Sequence, residues 1–126
     1  MVEKTKNILC IEDDTFLLNL IVGKFSDAGI SATAAHTGLE GVTIAGTEKP
    51  DLILLDLMLP DMSGLNVLDS LKADEATRNI PVIIFSNFGE KNEVASGLAH
   101  GAHTYLVKSN TLPGELVEVV TKVLEI

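Results

Sequence analysis

The sequence is short of several residue types, and each shortage narrows the possible functions. One cysteine, Cys10, is present in 126 residues, so no internal disulfide can form, and its place in an apolar run indicates an inert core thiol. Tryptophan is absent and aromatic residues make up 4% of the chain, which leaves few platforms for stacking single-stranded bases. Because the chain can form no internal disulfide, we expect a reducing, cytoplasmic setting.

Basic residues are also scarce, because 9 Lys and Arg stand against 18 Asp and Glu. The resulting net charge of −9 opposes attraction to phosphate backbones and to anionic lipid. The longest apolar runs have the length of a strand, well below the roughly 20 residues that span a bilayer. We expect no direct binding to nucleic acid or membrane.

Strand-like and helix-like segments alternate along the whole chain, and we expect residues 1–126 to form one domain. This alternation predicts an α/β fold: a flavodoxin-like, doubly wound, five-stranded parallel sheet of order 2-1-3-4-5 with five helices. The predicted strands are Asn7 to Ile11, Ser31 to Ala35, Leu52 to Asp56, Pro81 to Ser86, and Thr104 to Val107.

Five helices are predicted between and after these strands. The fourth is weak, since Gly97 interrupts it and it has few large apolar residues. The predicted helices run from a cap at Asp14 to near Gly29, from Thr37 or Gly38 through Glu48, from a cap at Ser63, from about Glu90 to Ala99, and from Leu112 to Ile126.

Acidic side chains follow two strands that are neighbours in the predicted order. Glu12, Asp13 and Asp14 follow the first strand, and Asp56 closes the third. An isolated Asp after a strand usually only caps a turn, but the carboxyl ends of parallel strands meet at one edge of the sheet. Crowded carboxylates disfavour one another's charge unless a cation is present, and a few of them with one carbonyl and waters suit Mg²⁺.

A hydroxyl and an ammonium follow the two remaining strands on this edge. Ser86 ends the fourth strand and precedes Asn87, and Lys108 follows the fifth. Each alone has an ordinary explanation, a turn serine and a solvated lysine. Around a carboxylate and a metal ion, however, they can bind a phosphoryl group.

The whole chain resembles the receiver domain of two-component response regulators, specifically a stand-alone, chemotaxis-type single-domain receiver. Four segments in order carry the resemblance: Ile8 to Asp14, Leu54 to Gly64, Ile83 to Ser86, and Gly101 to Lys108. The resemblance implies a phosphoacceptor that receives its phosphoryl group from a sensor histidine kinase or a histidine phosphotransfer protein. Such a receiver promotes its own Mg²⁺-dependent phosphorylation and dephosphorylation.

The resemblance also implies a metal site with Mg²⁺ as cofactor. Asp56 would be the residue that accepts the phosphoryl group. Asp13 and Asp56 would ligate Mg²⁺ directly, Glu12 would act through water, and Met58 would offer its backbone carbonyl.

Four further residues take roles from the same resemblance. Ser86, Asn87 and Lys108 would bind the phosphoryl oxygens, with Ser86 and Lys108 taking part in catalysis. Ser86 would also move inward on phosphorylation and vacate space for Tyr105, the switch aromatic. An ordinary half-buried strand tyrosine is the alternative for Tyr105.

Two features depart from the family pattern. Ser109 follows Lys108 where the family usually has a proline after a cis bond, so this bond is either trans or strained. Met58 and Phe88 flank the site where polar residues are common, and we hypothesise that they shield an acyl phosphate from water. The alternative, that both side chains point away, is equally compatible with the sequence.

The signal would pass to a downstream protein through the face of helix four, strand five and helix five, with the chain a monomer or a weak phosphorylation-dependent dimer. A wide apolar stripe on the last helix favours this surface, although broad packing on the sheet would also explain it. A phosphorylation-independent interaction module is the alternative function. An aspartate-nucleophile phosphatase would need a second acid two residues after Asp56, where Met58 stands.

Overall fold

A computed structural model describes residues 5–126, and it has the predicted doubly wound α/β architecture. All five strands pair in parallel in the order β2-β1-β3-β4-β5, as expected for right-handed crossovers. The strands are β1 Asn7–Ile11, β2 Ser31–Ala35, β3 Leu52–Leu55, β4 Val82–Ser86 and β5 Thr104–Val107.

Two strands are one residue shorter than predicted. β3 ends at Leu55, although the Asp56 amide still donates to the Ile11 carbonyl at 3.0 Å. β4 begins at Val82 because Pro81 has no amide hydrogen to donate to the sheet. The Pro81 carbonyl nevertheless accepts a bond from the Ile53 amide at 3.0 Å.

Five α-helices flank the sheet, and the first three begin at the predicted caps. Asp14, Thr37 and Ser63 each accept a hydrogen bond from an amide in the first turn of their helix. The helices are α1 Thr15–Asp27, α2 Gly38–Glu48, α3 Gly64–Ala73, α4 Lys91–Ala99 and α5 Pro113–Leu124.

Two apolar cores lie on opposite faces of the sheet, because the strands alternate their side chains between the faces. One core joins residues of β1, β3 and β4 to α2 and α3, and includes Leu55 and Leu68. The other joins the opposite side chains to α1 and α5, and includes Ile8 and Phe25. The apolar stripe of α5 packs against this second core, with Leu116 and Val120 at 1% and 0% exposure and these partly buried neighbours: Val117, Val119, Val123 and Leu124.

Helix α4 is the least buried of the five helices. The side chain of its cap residue Glu90 makes no capping hydrogen bond, and Gly97 is its one buried residue. A Cβ at Gly97 would lie 2.7 Å from Ile84 Cδ1 and 2.9 Å from Tyr105 Cδ2. The glycine that weakens the helix therefore also allows α4 to lie directly on β4 and β5.

The chain after β5 forms a short 3-10 helix, Lys108–Asn110, that the sequence pattern did not predict. No cis peptide bond occurs in residues 5–126, so the Lys108–Ser109 bond is trans. No helix in this part of the chain is long and apolar enough to cross a bilayer.

Candidate functional site

Two buried carboxylates stand at the carboxyl ends of adjacent central strands. Glu12 follows β1 and is 5% exposed, and Asp56 follows β3 and is 6% exposed. The sheet holds both backbones, because the Glu12 amide donates to Ala35 at 2.9 Å and the Asp56 amide donates to Ile11 at 3.0 Å. These hydrogen bonds fix the backbone positions of both residues at the same edge of the sheet.

Asp13 completes a cluster of three acids. Oxygens of Glu12, Asp13 and Asp56 all lie within 4.8 Å of one another, and Asp13 is the exposed member. Asp14 was predicted both to crowd this site and to cap α1, and its Oδ1 accepts the Leu17 amide of α1 at 3.1 Å. The cluster opens into a pocket of about 340 Å³ lined by Glu12, Asp13, Asp14, Asp56, Met58, Leu59, Pro60 and Lys108.

Lys108 reaches across this pocket to two of the acids. Its Nζ lies 3.0 Å from Asp56 Oδ2 and forms a second ion pair with Glu12 Oε1. The ammonium also lies 5.9 Å from the centre of the Phe85 ring. The trans bond to Ser109 thus leaves Lys108 within reach of Asp56, which answers the question raised by the missing proline.

Burial and charge pull the pKa values at this site in opposite directions. Burial raises the pKa of Glu12 above 4.5, although hydrogen bonds from Lys108 and from the Asp14 amide oppose that rise. Burial acts to lower the pKa of Lys108, but the carboxylates of Glu12 and Asp56 outweigh it and hold this pKa above 10.5. Lys108 pairs with two of the three clustered acids, so the pocket keeps an excess of negative charge.

Met58 contacts the remaining oxygen of Asp56. Its amide donates to Asp56 Oδ1 at 3.2 Å, while Lys108 donates to Oδ2. Met58 forms an isolated antiparallel bridge with Ser63, and the Gly64 amide donates to the Leu57 carbonyl at 2.9 Å. These bonds close the segment between β3 and α3 at its base, next to the nucleophile candidate.

Ser86 and Asn87 lie outside the lining of the acid pocket. Ser86 is fully buried at the end of β4, and its Oγ accepts the Phe88 amide at 3.3 Å. Asn87 is exposed. The structure therefore brings together Glu12, Asp13, Asp56, Met58 and Lys108 but not Ser86 and Asn87. The roles predicted for all of these residues stay predictions.

Tyr105 is linked to the segment that follows β4. Its hydroxyl donates to the Phe88 carbonyl, and its ring packs beside Gly97. Burial raises the pKa of Tyr105, and the charges of Glu93 and Asp56 add to this effect. The tyrosine is thus held in place by a contact that a movement of the Phe88 backbone would break.

The two residues of the shielding hypothesis occupy different places. Met58 lines the acid pocket and is 58% exposed. Phe88 instead lines a second pocket of about 280 Å³, together with residues of the β3–α3 segment and α4 such as Leu57 and Asn92. The hypothesis that a side chain shields an acyl phosphate therefore applies to Met58 and not to Phe88, and it stays a prediction.

The donor set of the acid pocket fits a hard divalent cation. Carboxylate oxygens of three residues converge at one pocket open to water, and no thiol or imidazole belongs to the group. Mg²⁺ prefers oxygen ligands and keeps part of its water shell, which an exposed Asp13 beside two buried acids allows. The same ion would neutralise the charge that Lys108 leaves uncompensated.

One contributor near this site was not singled out in the sequence. Asp61, in the β3–α3 segment, accepts hydrogen bonds from the amides of Gly38 and Leu39 at 2.8 and 3.0 Å. The partners lie 23 and 22 residues away along the chain. Nothing in the local pattern Leu59-Pro60-Asp61 indicates such a contact.

Comparison with known proteins defines the class of this chain. Residues 8–121 match the response regulator receiver domain, so the chain belongs to this family of two-component signalling domains. It is 34% identical over 109 residues to the polar-differentiation response regulator DivK of Brucella ovis, covering 86% of this chain and 89% of that protein.

Two further similarities define how much of each protein is shared. The chain is 35% identical over 116 residues to the DNA-binding dual master transcriptional regulator RpaA of Synechocystis sp., covering 92% of this chain but 46% of that regulator. The chain thus spans about half of RpaA. The Francisella response regulator 1452 receiver domain superposes with a TM-score of 0.89 at 30% identity, covering 96% of this chain and 98% of that one.

Proposed function

We propose that Asp56 accepts a phosphoryl group from a phosphohistidine on a sensor histidine kinase or a histidine phosphotransfer protein. One observation carries this proposal: the Lys108 ammonium lies 3.0 Å from a nearly buried Asp56 carboxylate at the edge where Glu12 and Asp13 converge. Membership of the receiver family supports the same role. In this proposal residues 1–126 act as one receiver domain.

The transfer exchanges one bond for another. A carboxylate oxygen of Asp56 forms an O–P bond as the donor's N–P bond breaks, and the electron pair of that bond stays on the imidazole nitrogen. Lys108 turns from the carboxylate to the phosphoryl oxygens and balances their charge. The Met58 amide, which donates to Asp56 Oδ1 at 3.2 Å, keeps the carboxylate oriented.

The residues that would hold Mg²⁺ are Asp13 and Asp56 directly, Glu12 through water, and Met58 through its carbonyl. When bound, the ion supplies positive charge beside the phosphoryl group. Glu12 and Lys108 already form an ion pair in this pocket, so Glu12 also orients the ammonium.

We infer that Ser86 and Tyr105 transmit the change. The Ser86 hydroxyl exchanges the Phe88 amide for a phosphoryl oxygen, with the Asn87 amide alongside. The Phe88 backbone then shifts, and Tyr105 loses the carbonyl that its hydroxyl contacts. Because α4 rests on Tyr105 at Gly97, this movement alters the α4-β5-α5 face that a downstream protein binds.

Labelling with a small phosphodonor such as acetyl phosphate in the presence of Mg²⁺ tests the proposal. We expect one phosphoryl group per chain by intact-protein mass spectrometry, and none in Asp56→Asn. Asp27→Asn is the matched control, since Asp27 is an exposed acid at the C-terminal end of α1, the end opposite the pocket residue Asp14. That variant should label like the wild type.

Two outcomes would overturn the proposal. The first is an unlabelled wild type that also fails to bind beryllofluoride with Mg²⁺, which would favour a phosphorylation-independent interaction module. The second is undiminished labelling of Asp56→Asn, which would place the acceptor elsewhere.

A further inference from the structure

The carboxylate of Asp61 links the segment between β3 and α3 to the start of helix α2. Asp61 accepts the amide of Gly38 at 2.8 Å and the amide of Leu39 at 3.0 Å, one with each oxygen. Gly38 and Leu39 are the first two residues of α2. Asp61 therefore binds two of the amides that a helix start leaves without intrahelical partners.

Helix α2 has its own cap without Asp61. Thr37 Oγ1 accepts the Glu40 amide at 3.1 Å, and Glu40 Oε1 accepts the His36 amide at 3.0 Å. Thr37 therefore caps the helix, while Glu40 binds the amide of the residue before the cap and not that of Thr37 itself. The bonds from Asp61 are thus additional to those that begin the helix, and their distinct effect is to join two parts of the fold.

The joined segment carries part of the acid pocket. Its base is closed by the bond from Gly64 to Leu57 and by the bridge between Met58 and Ser63. Its tip, around Pro60, is exposed and lacks these contacts. Asp61 supplies the polar attachment at this tip.

An apolar contact lies beside the polar one. Met62 packs so closely on the start of α2 that a Cβ at Gly38 would lie 2.6 Å from its Cγ and 2.9 Å from its Sδ. The amide bonds made by Asp61 and the packing of Met62 together define where the tip sits. The carboxylate is charged at neutral pH, because the Leu39 and Gly38 amides lower the pKa of Asp61 below 3.8.

We propose that Asp61 is a positioning residue that holds the β3–α3 segment against α2 and so preorganises the Met58 backbone for the divalent cation. This inference rests on the proposed function. Met58 lies between Asp56, whose Oδ1 its amide contacts, and the tip that Asp61 anchors. A freer tip lets the Met58 peptide rotate, which separates its carbonyl from the ligand position while the sheet keeps Asp56 in place.

Mg²⁺ binding to the full chain, measured by isothermal titration calorimetry without any phosphodonor, tests the inference. Residues that orient metal ligands from outside typically change affinity by about 10-fold or more. We expect Asp61→Ala to weaken Mg²⁺ binding by about 10-fold. Asp61→Asn, which keeps an oxygen acceptor, should fall between Asp61→Ala and the wild type.

Thr37→Ala is the matched control. It removes a cap bond from the same helix start but no bond to the β3–α3 segment. We expect this variant to be less stable in urea and to bind Mg²⁺ as the wild type does. The Met58 amide resonance should move in Asp61→Ala and keep its wild-type position in Thr37→Ala.

The outcomes separate the two proposals. A wild type that binds Mg²⁺ and is labelled, with Asp61→Ala unchanged in affinity, overturns the inference alone. If Thr37→Ala weakens Mg²⁺ binding as much as Asp61→Ala does, the inference is also overturned, because a loosened start of α2 would then explain the loss of affinity. A wild type that binds no Mg²⁺ overturns the inference and the metal-dependent function together. Should Asp61→Ala not fold, Asp61→Asn carries the same comparison.

Discussion

Replacing Asp13 by Asn is expected to stabilise the metal-free protein and to remove most of its stabilisation by Mg²⁺. The structure groups Asp13 with Glu12 and Asp56, and all three present an oxygen within 4.8 Å of the others. One ammonium, Lys108, pairs with the two buried acids. Asp13 is therefore the acid whose charge is least compensated when no metal is bound.

Coulomb's law gives the size of the stabilisation expected for Asp13→Asn in the metal-free protein. Two unit charges 4 Å apart repel by about 1 kcal/mol in bulk water and by about 4 kcal/mol at an effective dielectric constant of about 20. Asp13 is exposed, so the lower value applies to each of its two repulsions. Attraction to Lys108 cancels part of this sum, which leaves a gain of roughly 0.5–1.5 kcal/mol for Asp13→Asn.

Urea denaturation at low ionic strength, in EDTA and in Mg²⁺, measures both effects. Free Mg²⁺ at ten times its dissociation constant should stabilise the wild type by about 1.4 kcal/mol and the Asn variant by much less. Asp27→Asn removes one negative charge from an exposed position outside the cluster, so it should respond to Mg²⁺ like the wild type. An Asp13→Asn protein that is less stable than wild type in EDTA would refute the electrostatic reasoning, as would a full Mg²⁺ response.

Three further predictions follow from single contacts. Gly64→Ala places a Cβ against the carbonyl oxygen of Asp56, which is backbone and cannot yield, so we expect a loss of about 1–3 kcal/mol in urea denaturation; a wild-type midpoint would contradict this packing. Tyr105→Phe removes the bond to the Phe88 carbonyl and should cost about 1 kcal/mol in the same measurement without changing Mg²⁺ affinity, and a changed affinity would show a wider role. The third prediction concerns Glu12→Gln and the dependence of its stability on pH. Burial raises the pKa of Glu12 above 4.5, so the folded protein binds that proton more tightly than the unfolded chain and loses stability as the pH rises past 4.5. The stability of Glu12→Gln relative to wild type, measured in EDTA, should therefore increase from pH 4.5 to pH 7, and a constant difference would argue against a raised pKa.

Local pattern was sufficient to predict the five strands and the five α-helices, and with them the edge of the sheet where the acids meet. The apolar run before Asp56 indicated a buried strand, and Asp14, Thr37 and Ser63 marked the starts of helices that they do cap. These signals are short-range, because an apolar run that indicates a strand and a residue that caps a helix are both recognised within a few positions of the sequence. The strand order followed because alternation of strands and helices permits few other arrangements.

The directions of the side chains were harder to predict from the sequence. The wide apolar stripe of α5 was compatible with a partner surface or with broad packing, and the structure shows it packed on the second core. Likewise Ser86 stood at a strand end near the acids, yet its hydroxyl accepts the Phe88 amide. A position at the end of a strand determines where the backbone of a residue lies. The rotamer of its side chain depends on neighbours from other elements.

The sequence by itself determined the α/β fold and the receiver family, and it predicted that Glu12, Asp13, Asp56 and Lys108 meet at one edge of the sheet. Met58, which also lines the pocket, was predicted from the family resemblance. Tertiary structure alone decided that Lys108 joins Glu12 to Asp56 across a trans bond, and that Asp61 fastens the β3–α3 segment to α2. The physical reason is the range of the interactions. Periodicity and caps are encoded within a few residues, while a hydrogen bond between residues 23 positions apart exists only after packing has brought the two segments together.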